Sequence, residues 1–357
     1  MILPALVCAL GLPAGFLLIR RVPTCTVATE PPSKAAISLI IPARNEERTL
    51  PHLLRSIADA GCPLEVIVVD DHSTDGTAKL AASCGARVVC APAKPPEWTG
   101  KCWACYQGAQ SAVGQLLMFL DADTYFQPGG LDRILSRWEQ EKKPRAVLSV
   151  LPYHAMVAPY EQLSLFFNML MAAGAGGFGT IAPPRLFGQC MLISRNFYFK
   201  AGGHAAVAGV VLENLRWADK LREHGVQIVC VGGKGTLHMR MFSEGMRGMS
   251  ESWAKAFAQG ASDSGATVLA VSILWISSLW STALLLAMPY DFGRLSLAVV
   301  YFLLGLQATW IARQLGDYRF LTAILFPIPL AYCCIVFARA VRRRLLGQKT
   351  MWKGREV

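Results

Sequence analysis

Five apolar residues, Leu116 to Leu120, run without a break into two carboxylates, Asp121 and Asp123, in the stretch QLLMFLDAD. A run this short and this uniformly apolar reads as a strand covered on both faces. Such strands belong to parallel sheets flanked by helices, and those sheets bind ligands at their carboxyl edge. With one alanine between them, Asp121 and Asp123 point the same way while the backbone stays extended. Two carboxylates side by side repel unless a cation or a proton sits between them. A hard divalent ion held by one or two carboxylates and completed by substrate phosphates is how Mg²⁺ is usually bound. The plainer reading is a strand followed by a solvated acidic turn.

The neighbouring stretches repeat the pattern. In AISLIIPARNEE, Ile37 to Ile41 reads as a strand that Pro42 ends, and Glu46 and Glu47 suit the first turn of a helix. Leu50, Leu53, Leu54 and Ile57 then keep helical spacing. In EVIVVDDHSTDGT a second buried strand, Val66 to Val69, ends in Asp70 and Asp71. Further strands are expected over Ala86 to Cys90, Ala146 to Leu151, GQCMLIS and Gln227 to Val231, with helices over Gly129 to Glu141 and Val211 to His224. This alternation implies right-handed crossovers and a doubly wound sheet. Two acid-ended strands beside an R-N-E turn suit a nucleoside diphosphate. Asp70 or Asp71 would accept from a base N–H, and Arg44 and Lys101 would meet phosphate charge. The competing reading has both Asp residues capping the turn. No G-x-x-x-x-G-K-[ST] or G-x-G-x-x-G follows a strand, which argues against a P-loop or a dinucleotide site.

The chain of 357 residues is 53% hydrophobic and 17% charged, too apolar for an ordinary soluble protein. The excess sits at the ends. Residues 2–19 carry no charge and Arg20-Arg21 follows them, the reverse of a signal peptide, so an uncleaved anchor over 1–21 is expected. Segments at about 267–288, 296–312 and 321–338 approach bilayer-spanning length, the last interrupted by Pro327 and Pro329. The net charge of +11, with Arg342-Arg343-Arg344 beside an apolar segment, suits an anionic membrane surface, and no nucleic-acid motif is present. Eleven unevenly spaced Cys suit reduced thiols. The expected organisation is an anchor (1–21), one cytosolic α/β domain (35–262), and C-terminal membrane segments with a basic tail (263–357). Leu163 to Ala182 is long enough to span. If it did, Asp121 and Glu213 would fall on opposite sides, so an interfacial helix with a Gly-rich flap is expected. One conflict follows: three C-terminal spans would carry the tail outside, where its arginines do not belong.

IIPARNEE, VVDDHSTDGT and FLDAD together resemble glycosyltransferase family 2. EWTGKCWACYQGA, LSVLPYH, YEQLSLFFNML, HMRMFSEGM, SESWAKAFAQGA and WKGRE extend the likeness, from about residue 37 to the end, to a branch acting on carotenoid acids. The resemblance implies a nucleotide-sugar-binding α/β fold of the GT-A type and inverting transfer, with UDP-glucose the expected donor. It also implies a carotenoid acid acceptor and Mg²⁺ or Mn²⁺ held by Asp121 and Asp123. Carried over by position, Pro42, Arg44, Glu46, Asp71 and Asp121 line the nucleotide sugar, and Lys101 meets uracil or phosphate. Where the family often has Glu-Asp, with the Asp as base, this chain has Glu213-Asn214. Asn takes no proton, which leaves Glu213 as the candidate base against a plain solvent-facing carboxylate.

Other acceptors, such as a hopanoid or glycerolipid, fit the same chemistry, and a non-catalytic membrane scaffold fits Asn214. A processive polysaccharide synthase lacks its Q-x-x-R-W, with only Ser252-Trp253 near that place. Cys102-x-x-Cys105 lacks a thioredoxin context or a second Cys pair for zinc. His72, His154, His204 and His238 read as satisfied polar contacts, Trp253 and Phe257 as membrane-interface packing, and Arg240 as either a diphosphate contact or an exposed charge.

Overall fold

The structure is a computed structural model. It describes residues 2–26, 36–61, 64–141, 145–210, 213–243, 245–260, 265–289, 294–346, 351–352 and 355–356. The chain opens with helix α1 (Ile2–Leu18). Then come β1 (Ile37–Ala43), α2 (Leu50–Ala58), β2 (Glu65–Asp70), α3 (Thr77–Ser83), β3 (Arg87–Cys90), α4 (Gly100–Ser111) and β4 (Leu116–Leu120). They are followed by β5 (Thr124–Phe126), α5 (Gly130–Gln140), β6 (Ala146–Leu151), β7 (Tyr153–His154) and α6 (Leu165–Gly174). Next are β8 (Cys190–Ser194), α7 (Arg195–Lys200), α8 (Glu213–Glu223), β9 (Gln227–Gly232) and β10 (Leu237–Met239). Helices α9 (Met246–Gly260), α10 (Ala266–Ala287), α11 (Arg294–Leu315), α12 (Phe320–Ile324) and α13 (Pro327–Leu345) complete the set used below. Two compact units form: Pro23–His154 with Pro184–Met241, and Met1–Val22 with Ala155–Pro183 and Phe242–Val357.

The first of these units is built on a sheet of order β3-β2-β1-β4-β8-β6-β9. Strands β3, β2, β1 and β4 are parallel, so the acid-ended termini of β2 and β4 and the Arg44 turn after β1 share one edge. Strand β4 is buried along its whole length, as its apolar run requires. The sheet is mixed, a departure from the parallel order expected: β8 runs antiparallel to both β4 and β6. Between β6 and β8 the chain runs through residues 155–183, which belong to the other unit. Pro42 also departs from expectation, since β1 continues through it to Ala43. Pairing of β1 with β4 stops at Ile40, so a missing N–H at Pro42 breaks no ladder bond on that side.

The second unit is helical. Helices α10 and α11, at 22 residues each, are long and apolar enough to cross a membrane. Helix α1 has 17 residues with Pro13 inside, and no N-terminal span is shown. The expected third C-terminal segment is not one span, because the chain breaks into α12 and α13 just before Pro327. Helix α6 has only 10 residues, too few to cross a bilayer. Buried Gln307 of α11 ties three helices: it accepts from Trp275 Nε1 of α10 (3.1 Å) and donates to the Leu12 carbonyl of α1 (2.6 Å). Trp253 does not sit at a surface. It is buried, stacked on Phe167 with ring centroids 4.7 Å apart.

Candidate active site

The site is described within the sheet unit alone. The turns after β1 and β2 interlock. Asn45 and His72 both hold left-handed backbone, at φ 55° and 56°. Non-glycine residues adopt that conformation only where surrounding bonds impose it. Here Asn45 donates its N–H to Ser73 Oγ (3.0 Å) and accepts from the Thr74 N–H (2.8 Å). Glu47 accepts from Gly76 N (3.0 Å), and Glu46 donates its N–H to Thr77 Oγ1 (2.8 Å). Glu46 and Glu47 thus lie in the turn, ahead of the helix they were expected to begin. Arg44 donates to the Asp71 carbonyl (2.8 Å) and lies 3.7 Å from its carboxylate. Asp70 does what the capping reading expected, accepting from Ser73 N at 3.3 Å.

The DAD stretch is a turn, not extended chain. Thr124 N and Oγ1 both donate to the Asp121 carbonyl, at 3.1 and 2.7 Å. The two carboxylates stay electrostatically close all the same. Burial, then the Asp121 and Glu46 carboxylates, push the Asp123 pKa up to about 7. Lys101, in the first turn of α4, places its ammonium 2.6 Å from Asp121 Oδ1. Thr99 caps that helix through Cys102 N (3.3 Å). The Asp121 and Glu46 carboxylates crowd Asp123, with Lys101 paired to Asp121, and a divalent ion fits such a concentration of negative charge. Asp121 and Asp123 are the residues that would hold it, with a diphosphate completing its shell. Among the described residues no cluster of three or more His, Cys, Asp or Glu forms a metal cage.

Sequence reading missed the far wall of the site. Lys101 also donates to the Gly188 carbonyl (3.2 Å), and Asp121 N donates to the Gln189 carbonyl (2.9 Å). Gly188 packs against the Asn214 amide so closely that a Cβ there would lie 1.9 Å from Asn214 Nδ2. The buried side-chain oxygens of Gln189 and Asn214 have no hydrogen-bond partner among the described residues. The antiparallel pairing of β10 with β5 adds another element, with Met239 facing Thr124. The sequence signals for this wall were the glycine heading GQCMLIS and Asn214, standing where the family often has Asp. Glu213 is the first residue of α8, and its side chain lies outside the described residues.

His154 and His204 are buried, and burial lowers their pKa to about 4 and about 3. Both imidazoles are neutral at pH 7. His204 is bound to the Tyr198 hydroxyl at 2.9 Å, a packing role. Cys102 and Cys105 are buried and not joined in a disulfide.

A mixed α/β sheet with charged turns gathered at the ends of β1, β2 and β4 makes a GT-A-like fold. Residues 38–200 match the family model described as Glycosyl transferase family 2. The chain resembles that family over those residues, and it is a glycosyltransferase. The 4,4'-diaponeurosporenoate glycosyltransferase of Staphylococcus aureus strain MRSA252 is 29% identical over 330 residues, covering 90% of this chain and 88% of the relative. That of strain USA300 is 28% identical over the same length and coverage. Among solved structures, the mannosyltransferase PcManGT from Pyrobaculum calidifontis, in complex with GDP-Man and Mn²⁺, superposes with a TM-score of 0.53. It is 18% identical, covers 91% of this chain and 98% of its own, and supports the fold.

Proposed function

We propose that this chain moves glucose from UDP-glucose to the carboxylate of a carotenoid acid at a membrane surface. The observation that supports the reading best is the wall opposite the carboxylates, where Asn214 stands in place of an acidic base and packs on Gly188. Its relatives are named for a carotenoid acid, and the donor is read from the sequence resemblance.

In the proposed step the acceptor carboxylate oxygen bonds to the anomeric carbon as the bond from that carbon to the β-phosphate oxygen breaks, releasing UDP. A carboxylic acid, with a pKa of roughly 4 to 5 in water, is already ionised at neutral pH, so no base has to remove a proton. Asn214 would donate a hydrogen bond to that carboxylate. The Lys101 ammonium lies beside the carboxylate pair, where negative charge grows on the departing diphosphate. Arg44 orders the Asp71 turn against the nucleotide. When bound at Asp121 and Asp123, Mg²⁺ or Mn²⁺ supplies charge stabilisation to the diphosphate.

The membrane reading rests on α10 and α11. Two spans return the chain to the side it left, which keeps the basic tail with the cytosolic site and removes the conflict of three spans. The residue boundaries of anchor (1–21), catalytic domain (35–262) and membrane segments (263–357) belong to the same proposal.

The test is to express the chain in cells carrying carotenoid acids, hopanoids and glycerolipids. A hexose is expected on the carotenoid acid, with UDP released in membranes. Hexose on another lipid would overturn the acceptor, and absence of UDP release with every lipid would favour the scaffold reading.

A further inference from the structure

The helical unit carries a charged cluster of its own. Helices α9 and α13 pack together, tied by a hydrogen bond between Ser250 Oγ and Tyr332 Oη (2.7 Å). Between them opens a cavity of about 470 Å³ lined by Arg247, Ser250, Glu251, Arg339 and Arg343. Glu251 pairs with Arg247 at 3.1 Å. Arg339 and Arg343 have no acidic partner among the described residues. The lining therefore carries a surplus of two positive charges.

Ordinary helix chemistry does not account for this arrangement. Arginines near the end of α13 suit its dipole, but Arg339 and Arg343 are i,i+4 like charges, a spacing that destabilises a helix. Arg247 stands in the first turn of α9, where the dipole disfavours a cation. All three arginines nonetheless line one cavity. Beside them, α13 exposes Ile328 (59%) and Ile335 (51%), seven residues apart and so on one face, which Arg339 continues four residues further on. A cationic hollow beside an apolar strip matches a phosphate head joined to acyl chains.

We propose that this cavity binds the phosphate group of an anionic phospholipid, with Arg339 and Arg343 as its main contacts. The inference rests on the reading that this chain is seated at a membrane. The full chain, in an uncharged detergent, is titrated with dihexanoyl phosphatidylglycerol, dihexanoyl phosphatidylcholine and inorganic phosphate. Phosphatidylglycerol should bind, and R339Q/R343Q should weaken it about thirtyfold. R339K/R343K should largely retain binding, E251Q should tighten it, and phosphatidylcholine should bind at least tenfold more weakly. Equal affinity of wild type and R339Q/R343Q at unchanged melting temperature would overturn the site. Equal binding of the two lipids would do the same. Inorganic phosphate bound as tightly as the lipid would overturn the lipid as the source of the phosphate. Flotation with neutral vesicles tests the membrane reading separately, since the detergent titration does not depend on it.

Discussion

The two walls of the candidate site are built differently. The wall from β1, β2 and β4 is made of consecutive residues at strand ends, and its turns lock each other through Asn45, Ser73, Thr74 and Glu47. The wall of Gly188, Gln189 and Asn214 comes from the turn before an antiparallel strand and from a helix that begins 25 residues after Gly188, joined by a glycine contact. The first wall concentrates charge. The second has buried amide oxygens without partners. A donor with a fixed diphosphate suits the first kind of wall, and a varied acceptor suits the second.

The comparison breaks most directly on the charged side. Asp123→Asn should lower UDP release by a factor on the order of a thousand or more while the melting temperature holds or rises. Near-normal turnover of this variant in EDTA-treated membranes would remove the metal role. On the other wall, Gly188→Ala puts a methyl into the Asn214 amide and shifts the carbonyl that holds Lys101. A loss of roughly a hundredfold is expected, partly recovered in Gly188→Ala/Asn214→Ala. If the single variant is silent, the close contact is not part of the working site.

Smaller effects sharpen the contrast. Glu213→Gln, assayed by initial rate with a carotenoid acid and saturating UDP-glucose, should cost less than tenfold, against the roughly 10²–10⁴-fold expected on losing a general base. A thousandfold loss would restore Glu213 as base. The smallest effect is on stability. The Asp123 pKa is raised from 3.8 to about 7, so the folded metal-free protein binds a proton more tightly than the unfolded chain. Its stability should therefore fall as pH rises from about 4 to about 7. Mn²⁺ with UDP should reverse the trend above pH 7, seen as a few degrees in melting scans. A melting temperature flat across that window would mean that the carboxylates do not crowd.

What the sequence disclosed follows the same division. The acid-ended strands were readable because burial on both faces leaves an unbroken apolar run, and Asp121 and Asp123 stand where it stops. The direction of β8 was not readable. CMLIS has the same apolar pattern whichever way it runs, and its sense is set non-locally, by its pairing with β4 and β6. Pro42 was misread as a terminator because its tolerance depends on where β4 stops pairing, a non-local fact. Asn214 was visible as a missing acid, but its contact with Gly188 spans 26 positions and has no local signature. The third apolar segment was too long by composition, and the Pro327 break divided it.

The Gln307 tie has a consequence in time. Its partner carbonyl belongs to Leu12, 295 positions earlier. On a ribosome adding about 5–20 residues per second, Leu12 emerges roughly 15 to 60 seconds before Gln307 exists. Helix α1 must spend that interval without its final hydrogen-bond donor. A chain that stops short of α11 never supplies one, so the earliest part of the protein is completed only by nearly the latest.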